Sequence, residues 1–249
     1  MNFILLAIIT LIVGALIGTV GVGGILLIPA LNVFADLTTH MSMGTALFSF
    51  IFTGILGTFL YHRRGSIDWG VTIPLCMGSL CFGYFGALVN ANAPVAILNI
   101  LLSAIIIFAG VYALLPQKKT LISSAQSKKT QRLYLLFIGA AVGFGSGLTG
   151  VGGPVLSVPI MVAAGFHPLT SIAASQVVQI TAAFSGSIGN LSHGFIDFSV
   201  AWWITAIELI GVTLGVSLAH RSSTLTLKKI VSLVCIVVGL YVLFRTIFS

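Results

Sequence analysis

The chain has 249 residues, of which 58% are hydrophobic and only 6% are charged. Soluble domains carry about 25% charged residues, so this composition excludes a soluble globular protein and predicts one that has the bilayer as its main solvent. The formal net charge of +7 does not indicate nucleic-acid binding, because the basic residues lie in short connections between apolar runs, where the positive-inside rule places them.

Eight apolar segments follow one another, each long enough for the roughly 20 residues that a membrane-spanning helix needs. They cover residues 3–31, 41–61, 70–90, 95–115, 133–162, 170–191, 199–219 and 228–247. The stretch 116–132 is polar and basic, which is typical of a solvated linker. The pattern therefore predicts an all-α integral membrane protein.

The first segment of each half is too long for a single span. Residues 3–34 as one helix would measure about 48 Å, against about 30 Å for the hydrocarbon core. A glycine cluster interrupts the run and Pro29 follows it, and both residue types disfavour a continuous helix. In the second half Pro154 directly follows the cluster, which is a favoured first position of a helix. We therefore expect a helix, an unwound glycine turn near mid-membrane and a second short helix in each half.

The chain contains two copies of one unit. The tetrad Gly21-Val22-Gly23-Gly24 recurs as Gly150-Val151-Gly152-Gly153, 129 positions later, and the same offset relates further residues without a gap. We assign residues 1–115 to a first membrane repeat of about four apolar segments, 116–132 to a basic cytoplasmic linker and 133–249 to a second membrane repeat. Duplicated apolar halves with glycine-broken segments are typical of secondary transporters whose site lies at the repeat interface.

The basic residues distinguish two topologies. If each first segment crosses the membrane once, the repeats are parallel and the 11 Lys and Arg residues divide 8 against 3 between the two sides. If each first segment turns back, the repeats are inverted and the division becomes 10 against 1. The positive-inside rule favours the second arrangement, so we expect inverted repeats.

The two glycine tetrads are the first candidate site. Without Cβ atoms, a glycine run lets backbone N–H groups reach a ligand, and the half-helix that follows contributes the positive end of its dipole. Two such turns would hold a small anion without Lys or Arg, and neither residue type lies deep in a span. All residues of both tetrads are therefore substrate-binding candidates. The alternative is helix packing, to which we assign the outer glycines, Gly14, Gly18, Gly139, Gly143 and Gly147.

Polar side chains on the second and sixth segments form the second candidate site. They share one helix face in each segment and suit the oxygens of a small anion. The substrate-binding candidates among them are Thr45, Ser49, Ser175, Gln176 and Gln179. The two amides are the strongest, because burying two long amides is costly. Hydrogen bonding between helices is the alternative for each residue.

Glu208 is the only ionisable residue in the middle of a span. An intramembrane carboxyl group indicates a proton relay or a ligand for a coupling ion, either a proton or sodium. The alternative is a protonated glutamic acid that is hydrogen-bonded to a neighbouring helix.

Other motifs favour structural roles. Asp68 and Asp197 each follow a glycine by three positions and precede an aromatic residue, a pattern that predicts helix starts. Ser146 and His193 raise the remote alternative of an intramembrane serine protease, but such a dyad needs the two side chains within hydrogen-bond reach, and the sequence gives no support for that proximity. The three cysteines show no C-x-x-C spacing, so we expect no disulfide framework, metal site or cofactor.

With these motifs in view, the chain resembles the sulfite exporter TauE/SafE family of membrane transporters. The resemblance rests on the GxxxGxxGVGG block followed by proline in each half and on the glycine-rich third segment. It rests also on the Ser/Thr-rich second segment, which runs into His62-Arg63-Arg64-Gly65-Ser66-Ile67-Asp68-Trp69. It implies a multi-pass permease of the plasma membrane, in bacteria the inner membrane, that moves small anionic sulfur compounds such as sulfite and sulfonates.

We therefore expect a secondary transporter for a small anion rather than an enzyme, with a passive anion channel as the alternative. The expected partners are the anion, the lipid bilayer, a coupling proton or sodium ion and a second copy of the chain in a homodimer. No nucleic-acid partner is expected.

Overall fold

The computed structural model describes residues 3–21, 23–114, 128–164 and 166–219, together with single positions between 233 and 247. Within these residues the chain forms helices and no β-strand, which confirms the all-α class. The predicted eighth segment, 228–247, is described only at single positions from 233 onwards, and most of the 116–132 linker lies outside the described residues.

The described residues form nine α-helices, and a short 3₁₀ turn, Gly23–Leu26, leads into the second. They are α1 (Phe3–Val20), α2 (Leu27–Phe34), α3 (Thr39–Arg63), α4 (Trp69–Asn92), α5 (Val95–Leu114), α6 (Lys128–Thr149), α7 (Gly153–Ala163), α8 (Pro168–Ser192) and α9 (Phe198–Ala219). Four of these helices, α3, α4, α6 and α9, are long and apolar enough to cross a membrane. Large apolar side chains such as Ile4, Phe59 and Phe137 are exposed on the helix surfaces, as lipid contact requires.

Both predicted helix breaks are present. After α1 the chain turns at Gly21 (φ 78°), and after α6 it turns at Gly150 (φ 68°) and Gly152 (φ 83°). Only glycine adopts such positive φ angles readily, which explains why these positions are glycine. Pro154 lies in the first turn of α7, where its missing N–H has no intrahelical acceptor to lose.

The two predicted helix starts are confirmed. The Asp68 carboxylate accepts a hydrogen bond from the Gly70 N–H at the start of α4 (2.9 Å). The Asp197 carboxylate accepts bonds from the backbone N–H groups of Ser199 (2.9 Å) and Val200 (3.1 Å) at the start of α9. These side chains satisfy N–H groups that lack intrahelical acceptors.

The first helix of each half packs against the third long helix of the other half. Gly14 in α1 lies against the backbone of Glu208 in α9, and Gly143 in α6 lies against the backbone of Ser79 in α4. A Cβ atom at either glycine would overlap that backbone, so the outer glycines serve close helix packing, as their spacing predicted. The two contacts are related by the 129-residue offset in both partners.

The central pair of helices, α3 and α8, runs antiparallel. Gly44 near the start of α3 lies beside Asn190 near the end of α8, whereas Gly57 near the end of α3 lies beside Gln176. Residues 39–63 and 168–192 are equivalent under the offset, so equivalent helices point in opposite directions. This is the direction that inverted repeats require.

Candidate functional site

The two glycine turns meet in the core of the protein. A Cβ atom added at Gly21 would lie 3.1 Å from Cβ of Pro154, the second residue of α7. One added at Gly24 would lie 3.1 Å from the carbonyl oxygen of Val151 in the other turn. The chain therefore brings two unwound segments, 129 positions apart in sequence, into van der Waals contact.

A narrow crevice of about 140 Å³ lies at this junction. It is too narrow to admit a water molecule, so the structure is closed at this point. Its wall includes Gly24, in the 3₁₀ turn that leads into α2, and Pro154, in the first turn of α7. The first N–H groups of a helix have no intrahelical acceptor, although Pro154 itself has no N–H. The lining residues are Ile17, Gly21, Gly24, Phe50, Val151, Pro154 and Gln179.

The carbonyl end of the broken helix α1 is bonded by donors from other helices. The Tyr61 hydroxyl donates to the carbonyl oxygen of Gly18 (2.9 Å), and Nε2 of Gln176 donates to that of Ile17 (3.2 Å). At the end of α6, Asn90 donates to the carbonyl oxygen of Leu148 (2.6 Å). Because helix C-termini carry partial negative charge, these bonds lower the repulsion that an anion in the crevice would meet.

Gln179 is the predicted polar residue that lines the crevice. Its side chain is buried, and Nε2 donates to the backbone oxygen of Phe50 (3.1 Å) and to Oγ1 of Thr53 (2.8 Å). Gln176 lies one turn away, and its Oε1 atom has no hydrogen-bond partner among the described residues. The two amides therefore link α8 to α1 and α3 beside the glycine turns.

The remaining polar candidates lie in different parts of the structure. Ser175 lies close to the first turn, with Oγ 3.5 Å from the position of a Cβ atom at Gly21. Thr45 instead accepts a hydrogen bond from the N–H of Asp197 (3.0 Å), at the turn between α8 and α9. Ser49 donates to the carbonyl oxygen of Ala46 (2.8 Å). Val22 lies outside the described residues.

A family model described as "Sulfite exporter TauE/SafE" matches residues 6–242. The chain belongs to the TauE/SafE family. It is 27% identical over 278 residues to the probable membrane transporter protein YunE of Bacillus subtilis (strain 168), and the match covers all of both chains. It is 28% identical over 266 residues to the probable membrane transporter protein MJ0441 of Methanocaldococcus jannaschii, with 97% of each chain covered. No solved structure gives a significant match.

This TauE/SafE protein is therefore a multi-pass membrane transporter. The family match, the similarity to probable membrane transporter proteins and the long apolar helices agree on that statement.

Glu208 lies near the site but outside the crevice lining. Its side chain is 0% exposed, and neither carboxyl oxygen has a hydrogen-bond partner among the described residues. The Ser49 side chain lies beside the carboxyl group, although its hydroxyl donates to the Ala46 carbonyl. A buried carboxyl group without partners is costly, so Glu208 stays a candidate ligand for a coupling ion.

The TauE/SafE chain does not assemble the serine protease dyad. Ser146 is buried with no hydrogen-bond partner among the described residues. His193 lies at the end of α8, where its Nδ1 is 2.9 Å from the carbonyl oxygen of Gly189. Within the described part of the chain, no three His, Cys, Asp or Glu residues lie close enough to hold a metal ion.

Two residues of the site were missed by the sequence interpretation. Phe50 has the appearance of an ordinary apolar core residue, yet its ring contacts both turns and lines the crevice. Tyr61, which bonds the end of α1, stands in the last turn of α3 beside the basic topology signal. The repeat offset offered one signal, since it relates Phe50 to Gln179, which was selected.

Proposed function

We propose that this TauE/SafE family member is a secondary transporter of the plasma membrane for a small anion of the sulfur oxyanion class, such as sulfite or a sulfonate. The observation that carries the proposal is the contact between two glycine turns in the core, with the starts of two short helices lining one crevice.

The distribution of charge supports an anion bound by backbone groups. No Lys or Arg among the described residues lines the crevice. Those described lie near the end of α3 or the start of α6, and Arg64 donates to the carbonyl oxygen of Val216 in α9 (2.9 Å). A helix N-terminus stabilises an anion by about 0.3–1 kcal/mol, and by up to about 2 kcal/mol in partly buried sites. Two ends therefore supply at most about 4 kcal/mol, which corresponds to a dissociation constant near 1 mM. Hydrogen bonds from the turn amides, or from Gln179 once its amide leaves Phe50 and Thr53, would tighten binding beyond that value.

The antiparallel arrangement of α3 and α8 supports transport by alternating access. Inverted repeats that exchange conformations open the same central site first to one side of the membrane and then to the other. The closed crevice corresponds to an intermediate stage of such a cycle, in which neither side has access.

Glu208 supports coupling to protons. An ionised Glu208 would be a buried charge without a partner, and protonation would remove that charge. A conformation that buries Glu208 and one that opens it to water would therefore differ in their affinity for a proton. We expect Glu208→Gln, which mimics the protonated form, to lose accumulation driven by a pH gradient while anion exchange continues. A gradient of one pH unit supports about tenfold accumulation for one coupled proton. Unchanged accumulation in the variant would exclude this role.

The test of the proposed function is uptake by proteoliposomes that contain the purified protein. Sulfite, thiosulfate, a sulfonate, a carboxylate and a monovalent cation should be compared with and without a pH gradient. The proposal predicts saturable uptake of sulfur anions above their equilibrium level. Uptake that only dissipates a gradient would instead identify a passive channel, and uptake of the cation alone would contradict the proposal.

A further inference from the structure

The Phe50 ring contacts both glycine turns beside the point where they meet. The residue lies in α3 and is 1% exposed. A Cβ atom at Gly24 would lie 2.6 Å from Cζ of its ring, and one at Gly152 would lie 3.1 Å from Cδ2. The same ring therefore contacts both turns, and it occupies the space that a ligand held by both would need.

The repeat offset makes this position central. The offset of 129 relates position 50 to position 179, so Phe50 and Gln179 are equivalent residues of the two repeats. They also contact each other, because Gln179 donates a hydrogen bond to the Phe50 carbonyl oxygen. Equivalent residues of two repeats meet only close to the axis that relates the repeats. At this axis one half supplies an aromatic ring and the other an amide.

The Phe50 ring belongs to the apolar core, and two of its sides face the glycine turns. Its contacts with the turns are made to glycines, so no side chain locks the ring on those two sides. The Phe50 backbone accepts a hydrogen bond from Gln179. The closed crevice is too narrow even for water, so the ring rotates away only when the surrounding helices also separate.

We propose that the Phe50 ring is the barrier that closes the path between the two turns, and that an anion enters the site only when this ring rotates away. This inference rests on the proposed anion site. After this rotation, the Gln179 amide is the polar group that remains at the site, on the opposite side of the axis that relates the repeats.

The experiment measures access to the crevice directly. Ser175 is replaced by cysteine, because its Oγ lies 3.5 Å from the position of a Cβ atom at Gly21. Modification of this thiol by a small anionic methanethiosulfonate reagent is timed in proteoliposomes. The native cysteines are first replaced by alanine, namely Cys76, Cys81 and Cys235.

The barrier is tested by Phe50→Ala in this background. Modification should become roughly tenfold faster or more, because the missing ring leaves room for water and reagent. Phe52→Ala is the matched control, since Phe52 lies on the same helix but packs against Phe48 and Trp202 (ring centroids 5.4 Å apart in both pairs). Phe50→Leu, which keeps an apolar side chain of smaller volume, carries the test if the alanine variant does not fold.

Equal modification rates in the wild-type background, Phe50→Leu and Phe50→Ala would overturn the barrier. An equal acceleration by Phe52→Ala would also overturn it, because loosened packing would then explain the effect. The rate of modification does not depend on transport, so failure of the barrier and failure of the anion proposal are distinguishable.

A second inference comes from the outer surface. A groove of about 630 Å³ lies between the N-terminal halves of α4 and α6. Its wall includes Trp69, Ile73 and Leu133, which are 43–55% exposed, and its rim includes Lys129 and Arg132. The groove is thus apolar along its length and basic at the end where both helices begin.

This combination matches an anionic phospholipid. Acyl chains fit the apolar wall, and a phosphate group at the interface is attracted by about 1 kcal/mol for each nearby basic residue. The adjacent acidic residue, Asp68, is engaged by the N–H of Gly70. The position of the first repeat that is equivalent to Arg132 is the uncharged Phe3. We propose that the groove binds one anionic phospholipid of the inner leaflet.

The test compares stabilisation of the detergent-purified protein by phosphatidylglycerol and by phosphatidylcholine. Phosphatidylglycerol should raise the unfolding temperature more, and Lys129→Ala/Arg132→Ala should weaken its apparent affinity by about 10- to 30-fold. Lys118→Ala/Lys119→Ala removes the same charge from the linker and should leave the affinity unchanged. Equal losses in both double variants, or equal stabilisation by the two lipids, would overturn the lipid site.

Discussion

Substitution of Gly150 by alanine tests whether the second turn is packed as the structure describes. Gly150 has φ 68°, and a Cβ atom there would lie 2.6 Å from Cβ and 2.7 Å from Cα of Met43 in α3. Gly194 has nearly the same φ, 69°, but a Cβ atom there would meet nothing within 4 Å. The left-handed conformation costs a non-glycine residue about 1–2 kcal/mol, and overpacking costs about 1–3 kcal/mol more.

The expected results follow from this difference. Gly194→Ala should lower the free energy of unfolding only by the cost of the left-handed conformation. Gly150→Ala also overpacks the turn and should be about 1–3 kcal/mol less stable than Gly194→Ala. Thermal unfolding in detergent, at about 2–4 °C per kcal/mol for a chain of this size, should separate the variants by about 2–12 °C. Equal unfolding temperatures would refute the packing of the turn against α3.

Three further variants test neighbouring contacts. Gln179→Leu should weaken anion binding by about 10- to 150-fold, since a hydrogen bond to a charged group contributes about 1.5–3 kcal/mol; titration with sulfite would measure it, and unchanged affinity would exclude Gln179 from the site. Tyr61→Phe removes the bond to Gly18 and should lower stability by about 0.5–1.5 kcal/mol, measured by thermal unfolding. The Ser199 hydroxyl, with the helix N–H groups, holds the pKa of Asp197 below its usual value. The stability that Asp197 contributes is therefore present above about pH 4 and is lost as pH falls through the folded-state pKa. Asp197→Asn should be less stable than wild type at pH 6 and should approach it on acidification, and a constant difference would contradict this linkage.

Much of the architecture could be predicted because it depends on local chemistry. A glycine run followed by proline cannot continue a helix within apolar sequence, so both breaks were correctly placed. The starts of α4 and α9 were predicted from Asp68 and Asp197, because an aspartate side chain satisfies free N–H groups wherever the helix lies.

The site depended on information that helical periodicity does not contain. Periodicity correctly identified which polar residues share a helix face, but it cannot show which neighbouring element packs against each turn of that face. Thr45 thus faces the α8–α9 turn, while Gln179 lines the crevice. Phe50 could not be distinguished from core residues until the two turns were found in contact around it.

The central claim is that backbone amides of the two turns bind the anion in place of basic side chains. A high-resolution structure of the protein with selenite, an electron-dense oxyanion, would test it most directly. We predict density between the turns, within about 2.7–3.2 Å of backbone nitrogen atoms of Gly24 and Gly153, with the Phe50 ring displaced. Density held by Lys or Arg side chains at the helix ends, with the crevice still closed, would contradict the claim.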